Sequence, residues 1–214
     1  MATPGFSSNL LDGTGLPIWI SDLACFHDRG DCLHVVRDLA PATALAVLGA
    51  DSTLIRPCEL PKIKQGYNVS LGALSLATEA DRCGTLLAGC IGPWTFVYDD
   101  LGLANDDHKT QGLSANGRDA AAAEYSINAV ARLSYAIDGQ EIFESSHDNL
   151  VLEDDLAGMT PELIAAFGDA GTFDLDYLPG EPDSEIFTRV LCALADLRCT
   201  LDDLRRTPLL IAPY

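Results

Sequence analysis

The run Gly84-Thr85-Leu86-Leu87-Ala88-Gly89-Cys90-Ile91-Gly92-Pro93-Trp94-Thr95-Phe96-Val97-Tyr98 decides the fold class. Two strand-like segments flank a Gly-Pro pair, which has the chemistry of a tight reversal, so the run reads as a β-hairpin. Along its second strand Trp94, Phe96 and Tyr98 share one side and Thr95 and Val97 the other, because successive strand side chains alternate. An aromatic triplet on one side is expected to pack on a core rather than to line a ligand cavity.

Working outward, Cys32 to Val36 is a strand by its β-branched content, and Ala122 to Ile127, Val130 to Ile137 and Gln140 to Glu144 are further strands, the last two joined by an Asp138-Gly139 turn. Pro41 opens a helix through Leu48, and Gly49 is placed to close it in a left-handed cap. Pro17 to Leu23 reads as a short apolar helix, and Asn105-Asp106-Asp107 as a turn or the start of a short helix toward Leu113. Residues 51–80 carry mixed signals and are expected to form an irregular connection with one short helix. Thr160-Pro161 starts a helix expected to stop near Gly168. Ile186, Val190, Leu191, Leu194 and Leu197 form the buried stripe of another helix, and Thr200 caps a final short one. Strands in the middle and helices at both ends imply an α+β fold, a central antiparallel β-sheet of hairpins and meander flanked by N- and C-terminal helices. Residues 1–16, rich in Gly and Ser, read as a flexible segment and 17–214 as a single α+β domain.

Charge narrows the function classes. With 13 Lys and Arg against 32 Asp and Glu the chain carries −19, which opposes attraction to nucleic acid phosphates and anionic lipid and favours basic partners. From Leu133 to Thr188 there are 14 carboxylates and no Lys or Arg, so the field is most one-sided there. The N-terminus has neither the basic nor the apolar region of a secretory signal, and no apolar stretch has the length of a membrane span, so a cytoplasmic protein away from membranes is expected. The seven cysteines form no C-x-x-C pair, which argues against a disulfide framework and a zinc knuckle. They read as small buried hydrophobes, with Cys192 and Cys199 placed to lie together.

Catalytic motifs are weak. Gly112-Leu113-Ser114-Ala115-Asn116-Gly117 has one residue too many for a nucleophile elbow, and Ser146-His147-Asp148 are sequence neighbours whose side chains diverge. The four histidines His27, His34, His108 and His147 lack helical metal spacing, and Asp174-Leu175-Asp176 begins a calcium loop without its later ligands. No cofactor and no metal are expected. Asp99-Asp100 at a strand end, with His108 on the next segment, form the most enzyme-like set, and a turn is the plainer reading of the same residues.

The stretch Gly92 to Gly102, Leu113-Ser114, the Tyr135-Ala136-Ile137-Asp138-Gly139 turn and the ending Thr200 to Leu204 before Pro208-Leu209-Leu210 together resemble the actinobacterial domain-of-unknown-function family 6461. Trp19, His34-Val35-Val36-Arg37 and Leu48-Gly49-Ala50-Asp51 add to the likeness, which covers roughly Trp19 to Leu210. In that family an acidic residue, usually Glu, follows the Trp strand, and its place here is Asp99. The resemblance implies the α+β class and a bacterial cytosol and brings no activity with it.

These readings lead to a non-catalytic, acidic protein-binding module, immunity-like or regulatory, that docks or neutralises a basic partner protein. The residues expected to meet that partner are Asp99, Asp100, Asp106, Asp107, Glu153, Asp154, Asp155, Asp174 and Asp176. The alternatives are a small hydrolase or metal-dependent enzyme around Asp99, Asp100 and His108, or a ligand-binding domain lined by Trp94, Phe96 and Tyr98.

Overall fold

A computed structural model describes residues 3–24, 30–62, 70–76, 84–104, 108–126, 130–145, 159–171 and 183–214. The expected hairpin is present as β3 (Thr85–Ile91) and β4 (Trp94–Asp99), with Gly92 at a left-handed φ of 56° in the turn. Strand β1 (Asp31–Arg37) pairs antiparallel with β4 on one side and with β5 (Asp119–Tyr125) on the other. From β5 the chain meanders through β6 (Ala131–Ile137) and β7 (Gln140–Ser145), reversing at Asp138-Gly139, both at positive φ as a two-residue hairpin turn requires. Two strands were not anticipated. β2 (Arg56–Cys58) lies in the stretch expected to be irregular, and β8 (Leu209–Pro213) inserts between β2 and β3. The result is one antiparallel sheet of eight strands in the order β2-β8-β3-β4-β1-β5-β6-β7, and an α+β fold.

Helices cover both faces. On the first lie α1 (Ile18–Leu23), α3 (Leu71–Leu76), α5 (Pro161–Ala170), α6 (Asp183–Leu194) and α7 (Leu201–Arg205), and on the second α2 (Pro41–Leu48) and α4 (Lys109–Ser114). The caps follow the residue chemistry. Gly49 takes φ 109° after α2, and Thr200 and Asp203 form a reciprocal capping box on α7. Helix α5 runs two residues past Gly168 and closes at Gly171, φ 88°.

Trp94, Phe96 and Tyr98 face the first, larger core, where the indole of Trp19 fills the space over them at 5.7 Å from Phe96 and 6.3 Å from Tyr98. Phe96 also needs room across the strand. A Cβ on Gly89, its cross-strand partner, would stand 2.8 Å from both the Phe96 ring and Leu209. The N-terminal segment is tied to the same core: Phe6 is buried, the Gly5 amide donates to the Asp169 carbonyl at 2.8 Å, and Arg189 Nη1 donates to the Gly15 carbonyl at 2.9 Å. These contacts lie within the stretch that composition alone marks as flexible.

Replacing Trp19 by Ala should destabilise the protein by about 3–5 kcal/mol in urea unfolding, the cost of an aromatic-sized cavity. Gly89→Ala should cost about 1–3 kcal/mol by overpacking, and relief by the smaller side chain in a Gly89→Ala/Phe96→Leu double variant would confirm the cause.

Candidate functional site

Adjacent strand residues point to opposite faces, and Asp99 and Asp100 divide accordingly. Asp99 is fully buried on the α2/α4 face, opposite Cys32, and accepts the amides of Ala104 at 2.6 Å and Leu101 at 3.2 Å. It organises the turn that leaves β4. Asp100 turns to the other face, 6% exposed, and accepts the Thr85 amide and hydroxyl, each at 2.6 Å, and the Ser70 hydroxyl. Burial raises both carboxyls, Asp99 to about 6, against the lowering effect of these donors. Their charges face inward, away from any partner. His108 stands exposed at the start of α4 beside Gln111, so the three residues of the enzyme reading are not brought together.

Asp106, Asp107, Glu153, Asp154, Asp155, Asp174 and Asp176 lie outside the described residues, as do His27, His147, Cys25 and Cys83. Among the described cysteines Cys32, Cys58, Cys192 and Cys199 are buried and Cys90 is exposed. Burial raises the Cys192 thiol, with Cys199 adding to it, although Cys199 lies past the end of α6 at Leu194 rather than on the same helix. Burial lifts Cys199 to about 12, so both remain thiols. Among the described residues no three His, Cys, Asp or Glu side chains are arranged to hold a metal.

The concentration of buried polar chemistry is on the α2/α4 face, where Asp99 is joined by residues that the sequence reading did not combine with it. Cys32 and His34 are two apart on β1 and therefore share this face, whose other half is apolar, with Val36, Leu86, Ala88, Val97 and Ala120 under Leu45, Leu48 and Leu113. His34 lies between Val97 of β4 and Ala122 of β5, and beyond Ala122 comes Ser134 of β6, hydrogen-bonded at 2.9 Å to Thr110 of α4. One step along the strands, Asp99, Cys32, Glu124 and Arg132 form a cross-strand row, and Arg132 pairs with Glu144 at 3.0 Å. His34 has no exposed surface, and neither ring nitrogen has a hydrogen-bond partner among the described residues. Burial first, then the charge of Lys109, lowers its pKa to about 4. The Cys32 thiol is pushed up by burial and by the Asp99 and Glu124 carboxylates. A neutral imidazole beside a protonated thiol is not an activated nucleophile pair at neutral pH. The sequence signal was there, a Cys-x-His pair just before Val35-Val36, but alternation alone does not say which face will be sealed.

The chain matches no protein-family model, no curated protein and no solved structure. No helix among the described residues is long and apolar enough to cross a membrane.

His34 and Asp99 act oppositely on stability. Folding lowers the His34 pKa from 6.5 to about 4, so between those values the unfolded chain holds the extra proton and stability falls as pH falls. Folding raises the Asp99 pKa from 3.8 to about 6, so the folded chain holds the extra proton and stability falls as pH rises. Each effect is on the order of 3 kcal/mol when complete, and they nearly cancel. Asp99→Asn should therefore gain stability relative to the parent by up to about 3 kcal/mol between pH 4 and 7, read as the difference in urea unfolding free energy at each pH.

Proposed function

We propose that this chain is a non-catalytic acidic binding module, immunity-like or regulatory, that docks a basic partner protein through the segment Leu133–Thr188. The observation that carries the reading is the run of 14 carboxylates there without one Lys or Arg. Such a field raises the capture rate of a cationic surface and is weakened by salt. The described part of the segment supports it. Phe143 of β7 meets Phe167 of α5 edge-on at 6.2 Å, so the last strand of the sheet and α5 are neighbours, and Glu141, Glu144 and Glu162 are exposed on them. Ile142, 37% exposed between two of these glutamates, adds an apolar contact to the charge. Asp99 and Asp100 drop out of the docking set because they are buried, Asp99 on the amides of the β4 turn and Asp100 on Thr85 and Ser70, which leaves Asp106, Asp107, Glu153, Asp154, Asp155, Asp174 and Asp176 as its proposed contributors.

Affinity capture from the source organism's lysate at low and high salt, with the recovered protein then purified, tests the idea. The expected partner is basic, and its association rate falls at least about tenfold as salt is raised from 50 to 500 mM. Neutralising Glu153, Asp154 and Asp155 together, to Gln, Asn and Asn, should slow association by about tenfold while leaving the thermal midpoint within a few degrees. A partner that binds equally well at all salt concentrations, or whose binding ignores these three changes, would remove the electrostatic reading.

A further inference from the structure

Helix α4 is a light cover over the buried half of β1. It has six residues with Gly112 among them, and Leu113 is the one large apolar side chain it presses down. A helix this short does not hold without its contacts, and the glycine weakens it further. Its polar ties include the Thr110 to Ser134 hydroxyl pair at 2.9 Å, the Gly139 amide donating to Ser114 Oγ at 3.0 Å, and the Arg118 amide and Nε donating to the Ser114 and Leu113 carbonyls at 3.0 and 3.2 Å. Beneath it sits His34, sealed from solvent with both ring nitrogens unpartnered among the described residues. A neutral imidazole tolerates such a place, whereas an imidazolium needs either water or a partner for its two N–H groups.

We propose that α4 is an acid-released latch with His34 as its trigger: when the ring takes up a proton, α4 lifts locally from β1, β5 and β6 while the rest of the sheet stays folded. This device is separate from the acidic docking segment and does not depend on it.

The charged groups around the ring set its direction. Lys109 comes from α4 itself and opposes a second positive charge beneath the helix. Cys32, on the same strand and face, stays a neutral thiol. Asp99 on β4 and Glu124 on β5 stand diagonal to the ring, and Arg132 on β6 lies beyond Glu124 and pairs with Glu144. Helix α2, Pro41–Leu48, and the β3 residues Leu86 and Ala88 bring no ionisable group to this face. Asp99 keeps its proton up to about pH 6, so on acidification it is neutral before His34 charges, and its countercharge is missing when the ring needs it. Asp99 is also bound to the Leu101–Ala104 turn rather than to α4, so lifting the helix hydrates His34 without releasing Asp99. The cancellation that flattens global stability does not apply to the local step.

The test is amide hydrogen exchange on the full chain between pH 7 and pH 4.5, corrected for intrinsic rates. The Gly112 and Leu113 amides should lose protection by up to about tenfold per pH unit, while Val190 and Leu191 in α6 keep theirs. His34→Gln, which cannot take up the proton, should remove the slope at α4. Lys109→Gln should move opening to lower pH. If His34→Gln does not fold, the ring proton signals of His34 in the parent provide the second measurement, with a titration midpoint that coincides with the loss of α4 protection. Protection at α4 that ignores pH, loss at α4 and α6 in step, a slope that survives His34→Gln, or a ring that titrates without any change in α4 would each overturn the proposal.

Discussion

Covered on both faces, the central strands leave no water for most of the side chains that point out of them, and that constraint governs the rest of this structure. Every polar residue the strands carry inward has to be met by protein. Asp100 is met by Thr85 and Ser70, Asp99 by the amides of its own turn, and Thr95 by the Leu39 carbonyl. Arg189, buried in α6, is met by the Ala170 and Gly15 carbonyls, which fastens the N-terminal segment to two helices at once. His34 is accommodated differently, by remaining uncharged.

The same constraint separates two populations of carboxylate. Those at the end of β4 accept backbone amides and hydroxyls, and burial raises their pKa values. Those on β7 and at the start of α5 face solvent, where charge costs little and acts at a distance.

Local signals made most elements legible. The β3–β4 hairpin, the meander after it and the caps at Gly49, Thr160 and Thr200 all follow from residues within a few positions of one another. What stayed hidden depends on distant partners. β2 is three residues long with Pro57 at its centre and exists because β8 pairs with it, and β8 itself is a short apolar run whose strand character comes from lying between β2 and β3. The anchoring of the first residues rests on Phe6 under Arg198 and on Arg189, contacts nearly the length of the chain apart. For the candidate site the pattern Asp99-Asp100-His108 was visible, but its convergence was not, because whether two adjacent acids diverge depends on the strand continuing to the first of them. His34 was visible as a letter and gained meaning only once α4 was placed above it.

The central position of β1 bears on how the chain reaches this state. Its partners Phe96 and Ala121 lie roughly sixty and ninety residues downstream of Val35, while β3–β4 and β5–β6–β7 are each built from neighbours. The two hairpin halves can therefore form early and on their own, but they become one sheet only when β1 enters between them, a step that must close long loops before it gains any pairing. Until then β4 and β5 each present a bare edge. The same inserted strand that seals two cores in the finished protein makes their assembly slow, and the period before its insertion is when this sequence is most exposed to pairing with the wrong chain.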